Sequence, residues 1–321
     1  MTMNQRALFG RTKKMAALAS LLALLALPLA ACGTSVEDTR HAAEGGGHEH
    51  GGAEAGEGVA ADPGSASSAG HDAAEHRHGE AESGSETVPD DLVQAEWTYN
   101  NGDKPEAGKE TTVRIMLTRD GQPIESFDTT HEQKQHLIIV SSDLSYFSHI
   151  HPVFKGDGLF EVETVFPTGG EYTLIADFVP SGGSAMHRMT VAEVSGAEAA
   201  SVPLEPQTQW NATVDGMKAA LTFDGKLKAG RETTLSYELA DAETGEPVTD
   251  LEPYLGEIGH VVILSQDAEQ YLHVHPLEDQ GSGPEAKFMT NFPSPGVYKI
   301  WAQFKRSGEI VTIPFVVEIE S

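Results

Sequence analysis

The chain has 321 residues, a formal net charge of −28 at neutral pH and 39% apolar residues. This excess of acidic groups repels the phosphates of nucleic acids and therefore disfavours nucleic acid as a partner. The single cysteine excludes an intrachain disulfide, and the low apolar fraction with 33 glycines indicates a disordered stretch beside folded domains.

Residues 1–31 have the pattern of a lipoprotein signal peptide. Four basic residues and no acidic ones precede the apolar run 15–31, which is short for a stable membrane span. The run ends in LAAC, with Cys32 last, and this resembles the bacterial lipobox, in which the cysteine receives a diacylglyceryl group. The sequence therefore predicts a chain anchored in the cell membrane bilayer through Cys32, facing outside the cytoplasm. The alternative is an ordinary cleavage site with a chance cysteine.

Residues 32–92 are predicted to form a disordered tether. They are rich in Gly, Ala, Glu, Ser and His and lack apolar periodicity, so they cannot bury enough surface to offset the entropy of ordering. The tether contains six histidines: His41, His48, His50, His71, His76 and His78. They form either a weak trap for divalent transition metals or part of a solvated spacer, and both interpretations stay open.

From residue 93 onward, short apolar runs alternate with Gly, Pro, Asp and Asn. Five runs in the first half of this region are predicted strands: 113–117, 137–140, 160–166, 172–178 and 189–194. No long helical pattern interrupts them. Their spacing is typical of a sandwich with about seven strands.

The sandwich pattern occurs twice. Residues 136–152 (HLIIVSSDLSYFSHIHP) align without gaps with 260–276 (HVVILSQDAEQYLHVHP), and seven of the 17 positions are identical. AGKETT at 107–112 likewise recurs as AGRETT at 229–234. Ordered matches at a nearly constant offset indicate a duplicated domain.

The predicted fold class is therefore all-β, with two tandem immunoglobulin-like or cupredoxin-like β-sandwich domains after a disordered tether. The predicted domains are residues 93–195 and 206–321, joined by a linker at about 196–205. Each domain is long enough to bury its own core.

Each repeat contains a histidine, twelve further residues, and then His-x-His-Pro. The six histidines are His136, His149 and His151 in the first repeat and His260, His273 and His275 in the second.

The spacing predicts that the three histidines of a repeat share one face of a hairpin. If the turn is centred at 143–144, His136 lies opposite His151. Ile138 then lies opposite His149, and residues two apart on a strand point the same way. Cross-strand neighbours lie about 5 Å apart, so the three imidazoles can reach one ion.

The same construction in the second repeat puts His260 opposite His275. Each domain is therefore predicted to hold a transition-metal cation, copper or zinc, in a three-histidine site. The alternative is that the histidines are structural groups bonded to backbone carbonyls, or that they contact a protein partner.

Two further residues of the first repeat are candidate ligands. Met186 and His187 begin its last predicted strand, and a thioether beside imidazoles favours copper. The aligned positions of the second repeat, Thr312 and Ile313, cannot supply such ligands. The alternative for Met186 is ordinary packing.

Both faces of the predicted hairpin are apolar. The His face carries Ile138, Val140 and Phe147, and the other face carries Leu137, Ile139 and Ile150. One face must cover the sandwich core. The other is predicted to be covered by the second domain or by a partner, because large exposed apolar patches usually mark interfaces.

The segments HLIIVSSDLSYFSHIHP and FPTGGEYTLIADFVPSGGS, together with their partners in the second repeat, resemble the YtkA-like and FixH-like domains of bacterial exported proteins. The likeness covers about residues 93–195 and 210–320. It implies a small immunoglobulin-like or cupredoxin-like sandwich. FixH-like members are associated with the maturation of copper-dependent oxidases, so the resemblance also implies copper handling. This chain departs from them in being a tandem, lipid-anchored form without a spanning helix.

The sequence thus favours a metal-binding lipoprotein that acts as a buffer, sensor or chaperone. The second hypothesis is an envelope adhesion or assembly module whose His face contacts another envelope protein. An enzyme is not expected, because the sequence contains no nucleophile elbow, phosphate-binding loop or cysteine nucleophile.

Overall fold

The computed structural model describes residues 92–321, without the side chains of His273 and His275. The predicted signal peptide, Cys32 and the tether up to residue 91 lie outside the described residues. The described part consists of strands, turns and one short 3₁₀ helix, Asn100–Gly102. Within it, no helix has the length and apolar character needed to cross a membrane.

Domain 1 forms two antiparallel sheets. Its strands are β1 Val93–Tyr99, β2 Glu110–Arg119, β3 Gln122–Pro123, β4 Gln135–Ser141, β5 Phe147–Ile150, β6 Val153–Gly156, β7 Leu159–Val165, β8 Gly170–Phe178 and β9 Met186–Val194. One sheet has the order β1-β2-β7-β6, with β3 beside β2, and the other has the order β5-β4-β8-β9. The five strands predicted from sequence correspond to β2, β4, β7, β8 and β9.

Domain 2 repeats this architecture. Its strands are β10 Asn211–Val214, β11 Met217–Phe223, β12 Glu232–Asp241, β13 His260–Ser265, β14 Tyr271–His273, β15 His275–Pro276, β16 Glu285–Asn291, β17 Gly296–Arg306 and β18 Glu309–Ile319. The sheets have the orders β10-β11-β12-β16-β15 and β14-β13-β17-β18. The predicted all-β class with two sandwich domains is confirmed.

The chain changes sheets at each pair of closely spaced histidines. In domain 1, β5 pairs with β4, whereas β6 pairs with β7 in the opposite sheet. His151 and Pro152 lie between these strands, and the proline has no N–H to extend the ladder. This crossing places His151 at the edge of the sandwich, beside the end of β4.

Each sandwich has its own apolar core. On β2, Val113, Ile115 and Leu117 are fully buried and alternate with less buried residues, as expected for a strand with one face on a core. They pack with Leu137 and Ile139 of the opposite sheet. A separate cluster fills domain 2.

A third apolar cluster lies between the two domains. Ile138 and Val140 of domain 1 pack with Val262, Leu264 and Trp301 of domain 2. All six residues 135–140 of β4 and all six of β13 are therefore buried. The His face of the hairpin is covered by the second domain, one of the two covers that the sequence left open.

The interface joins equivalent surfaces of the two repeats. Ile138 is equivalent to Val262 and Val140 to Leu264, and all four belong to the same cluster. Such a pairing of like with like is the property of a two-fold symmetric, isologous interface. Residues that are equivalent in the two repeats can therefore meet where the local two-fold axis passes.

Candidate metal centre

The hairpin that carries the first three histidines has the predicted register. Ile138 pairs with His149, and Leu137 pairs with Ile150. Leu144 adopts a left-handed φ of 57° at the turn. The carboxylate of Asp143 accepts hydrogen bonds from the Ser145 backbone N–H and side-chain hydroxyl, which hold the turn in this register.

The structure brings His136, His149 and His151 together. Nδ1 of His136 lies 3.0 Å from Nε2 of His149. The ring centroid of His151 lies 5.1 Å from that of His136 and 4.8 Å from that of His149. One nitrogen from each residue falls within 4.8 Å of the other two, which is the spacing of a group able to hold a metal ion.

The outer nitrogens of two of these rings are held by oxygen acceptors. Nε2 of His136 lies 3.0 Å from the carbonyl oxygen of Thr130. A carbonyl oxygen only accepts, so this nitrogen carries the proton and donates it. Nδ1 of His149 lies 2.8 Å from Oε1 of Gln303 in domain 2, and the amide nitrogen of Gln303 donates to Thr312. Gln303 therefore fixes the orientation of the His149 ring.

The inner nitrogens of His136 and His149 face each other. Nδ1 of His136 and Nε2 of His149 lie 3.0 Å apart, close enough to share one proton or to bind one cation together. A ligand histidine whose other nitrogen donates to an oxygen has the arrangement found around protein metal sites.

Burial disfavours the protonated, charged form of these histidines. Burial is the main cause that lowers the pKa of His149 to about 3, and the nearby charge of His136 lowers it further. Burial and the same neighbour lower the pKa of His151 to about 4. Both rings are neutral at pH 7 and present lone pairs to a cation.

The third ring has an unsatisfied nitrogen. Nε2 of His151 is buried and has no hydrogen-bond partner among the described residues. A buried polar atom without a partner costs about 1–3 kcal/mol. A buried nitrogen of this kind, beside the nitrogens of two other imidazoles, is suited to bind a cation.

The second domain enters the same cluster. The ring of His260 stacks on that of His136 at a centroid distance of 5.7 Å and an angle of 10°, and lies 4.9 Å from that of His149. The sequence assigned His260 to a separate site in domain 2, whereas the structure places it against the site of domain 1. The side chains of His273 and His275 lie outside the described residues, so their role as ligands stays a prediction.

Comparison with known families matches the two repeats, residues 86–196 and 212–321, to the family described as Domain of unknown function (DUF8832). The chain belongs to the DUF8832 family. The predicted internal repeat is thereby confirmed as two DUF8832 domains. The resemblance to YtkA-like and FixH-like domains stays a prediction, and a search of curated proteins returned no match.

Similar solved structures include invasin, a bacterial integrin-binding protein, at 14% identity and a TM-score of 0.21, covering 70% of this chain and 39% of that one. A putative membrane-anchored protein from Corynebacterium diphtheriae matches at 10% identity and a TM-score of 0.20, covering 71% of this chain and 58% of that one. Two fibronectin type III domains of chicken tenascin match at 12% identity and a TM-score of 0.21, covering 71% of this chain and 98% of that one. This chain thus spans less than two thirds of the first two proteins.

A row of polar residues extends from the cluster across the first DUF8832 domain. Asp177 on β8 pairs with His136 on one side and with His187 on the other. Its carboxylate accepts a 2.7 Å hydrogen bond from the hydroxyl of Tyr271 in domain 2. Burial, followed by the Asp177 charge, raises the pKa of Tyr271 well above its usual range, so this hydroxyl stays protonated and donating.

His187 lies at the outer end of that row. It is exposed, and its ring lies 5.4 Å from that of Tyr271. Two strand spacings, about 10 Å, separate its backbone from that of His136. The structure therefore does not group this predicted ligand with the three imidazoles.

Met186 is not placed with the histidines either. It is 7% exposed and belongs to the core of domain 1, where it pairs with Phe178. Because successive side chains on a strand point to opposite faces, Met186 and His187 face opposite sides of the sheet. The structure thus places Met186 in the packing role that was its alternative interpretation, away from the three imidazoles.

The sequence missed three polar residues around the cluster. The ring of His131 lies 5.4 Å from that of His260, Gln303 holds His149, and Asp177 accepts from Tyr271. These positions differ between the two repeats, so the repeated pattern does not mark them: Asp177 aligns with Gln303. The left-handed φ of His131, 47°, marks a turn that periodicity does not reveal.

Proposed function

We propose that this chain is a membrane-anchored lipoprotein that binds copper or zinc outside the cytoplasm through His136, His149 and His151, as a buffer, sensor or chaperone. The observation that carries the proposal is the group of three imidazole nitrogens, one each from His136, His149 and His151, that lie within 4.8 Å of one another. The unpartnered Nε2 of His151 supports it. A single cation between the rings would satisfy all three residues.

The ligand type supports a borderline transition metal. Neutral imidazole binds zinc and copper well, and zinc lies about 2.0–2.1 Å from each nitrogen. Ligand atoms of a tetrahedral site at that distance are about 3.3 Å apart. The separation of 3.0 Å between Nδ1 of His136 and Nε2 of His149 is close to this value.

The charge of the chain supports delivery of a cation. Its net charge of −28 attracts positive ions, and six histidines precede the folded domains. The predicted signal peptide and Cys32 would keep this acidic chain at a membrane surface. The tether would then raise the local metal concentration near the folded site.

The alternative role for the histidines is a protein-contact surface. In the folded chain, the apolar residues that share their face, Ile138 and Val140, pack against domain 2. An external partner would have to displace the second domain to reach them. This internal use of the face favours the metal proposal over the contact proposal.

The test is metal binding by the full chain, purified in detergent, with the six tether histidines replaced by alanine. Zn²⁺ and Cu⁺ are titrated in competition with a chromophoric chelator. We expect tight binding by the parent, and a loss of affinity of about 100-fold or more when His136, His149 and His151 are all changed to alanine.

The matched control is His187→Ala, which removes an exposed histidine of the same domain and should leave the affinity unchanged. Equal affinities of the triple variant and its parent would refute the folded metal site. Absence of tight binding in the parent would do the same.

A further inference from the structure

The histidine cluster lies between two domains, and the second domain contributes to it directly. His260 is only 7% exposed, and its ring contacts those of both His136 and His149. It begins β13, just as His136 lies at the start of β4. The two residues are therefore equivalent members of the two repeats.

Contact between equivalent residues locates the axis of the interface. In an isologous interface, a residue touches its own equivalent only close to the two-fold axis. The near-parallel stacking of His136 and His260, at an angle of 10°, is such a contact. A cation held by His136 and His149 thus lies near a position that both domains reach.

Domain 2 also orients a ligand of domain 1. The amide oxygen of Gln303 holds Nδ1 of His149, and the amide nitrogen of Gln303 is itself engaged by Thr312. This leaves Nε2 of His149 turned toward the cluster. Without domain 2, neither the tautomer nor the ring orientation of His149 would be set.

We infer that the cation site is an interdomain site, in which His260 supplies a fourth imidazole and Gln303 positions His149. This inference rests on the proposed function and deepens it. To act as a ligand, His260 must bring one nitrogen within about 2.1 Å of the ion, and its ring already lies against those of His136 and His149. Four nitrogen ligands around one ion leave no open position, which selects a cation that accepts tetrahedral nitrogen coordination, Zn²⁺ or Cu⁺, and a holding role.

The experiment uses the full chain in detergent with the tether histidines replaced, titrated with Zn²⁺ and, for spectroscopy, with Co²⁺. His260→Gln keeps a polar side chain of similar size, so that loss of folding does not mimic loss of a ligand. We expect about 10-fold or greater weakening of Zn²⁺ binding and a changed visible Co²⁺ spectrum. Gln303→Ala should weaken binding by about 10–100-fold and keep the four-nitrogen spectrum.

The variant Tyr271→Phe distinguishes the loss of a metal ligand from weakened docking of the two domains. It removes the hydrogen bond to Asp177 across the same interface without changing a histidine. We expect its Zn²⁺ affinity and Co²⁺ spectrum to match those of the parent. An affinity loss as large as that of His260→Gln would assign the effect to docking and overturn His260 as a ligand.

The outcomes distinguish the inference from the proposed function. If the parent binds Zn²⁺ and His149→Ala abolishes binding, but His260→Gln changes neither affinity nor spectrum, the site belongs to domain 1 alone and the inference is wrong. If the parent binds neither Zn²⁺ nor Cu⁺, the proposed function itself fails.

Discussion

At the scale of single residues, the outer nitrogens of the histidines determine what the cluster can do. A backbone oxygen and an amide oxygen contact the outer nitrogens of His136 and His149, so the inner nitrogens of the two rings are turned toward each other. With His151, these residues place three imidazole nitrogens within 4.8 Å of one another, which is the spacing of a group that could hold a cation.

A second residue-scale feature is the carboxylate of Asp143. It accepts hydrogen bonds from Ser141 and Ser145 in the turn and from the backbone N–H of Val202 in the linker. Partial burial acts to raise the pKa of Asp143, but these hydrogen bonds together lower it well below its usual range. The ionised form therefore stabilises the fold.

Asp143→Asn should lower the free energy of unfolding by about 1 kcal/mol at pH 7, a modest value because the group is only partly buried. The pKa of Asp143 is lower in the folded state than in the unfolded state, where it is 3.8. Its contribution to the free energy of unfolding is therefore fully present above pH 3.8 and is lost as the pH falls through the folded-state pKa. Urea unfolding at pH 7 and below pH 3.8 measures the difference.

Asp157→Asn is the control, because Asp157 is an exposed aspartate in the turn between β6 and β7. It should change stability by less than about 0.5 kcal/mol. An Asp143→Asn effect no larger than this at pH 7 would contradict the role of the carboxylate.

At the scale of elements, β4 and β13 are central strands with two covered faces. Leu137 and Ile139 face the core of domain 1, while Ile138 and Val140 face domain 2. This explains why each strand is a continuous apolar run. A sandwich strand with one solvent-exposed face would instead alternate apolar and polar residues. The two runs were recognisable in the sequence, although their covering partner was not.

Trp301 on β17 is the largest side chain of the interface. It is 3% exposed and stacks on Phe147 at a centroid distance of 4.7 Å. Trp301→Ala should lower the free energy of unfolding by about 3–5 kcal/mol. Because each domain keeps its own core, the thermal transition should also separate into two steps.

The control is Val191→Ala, an apolar truncation at a position that is 57% exposed. Calorimetry should show a stability change within about 0.5 kcal/mol and no separation of transitions. A similarly small effect of Trp301→Ala would mean that the interface contributes little to cohesion of the two sandwiches.

The edges of the sheets were the elements least accessible from sequence. The strands β3, β6 and β15 have two to four residues, too few to show a period of two. The separation of β5 from β6 depends on a change of sheet at Pro152. Local patterns do not reveal to which sheet a strand belongs, because that is decided by packing.

At the scale of the whole molecule, the proposed function requires an anchor. Cys32→Ser removes the only thiol of the chain, and hence the only acceptor for a diacylglyceryl group. We expect this variant to move from the membrane to the soluble fraction and to lose labelling by radioactive palmitate.

Ser35→Ala, three residues further on, keeps Cys32 and should stay with the membrane. Retention of Cys32→Ser in the membrane fraction would contradict the lipid anchor. It would indicate instead that the apolar run 15–31 remains attached and holds the chain.

The sequence by itself determined the two sandwiches and the register of the first hairpin. Alternation, turn residues and the repeated His spacing are local properties, so the sequence alone predicts that Ile138 lies opposite His149. The sequence did not determine that His260 meets His136, nor that Gln303 holds His149. These contacts join residues more than 100 positions apart, and only the docking of one domain on the other brings them together.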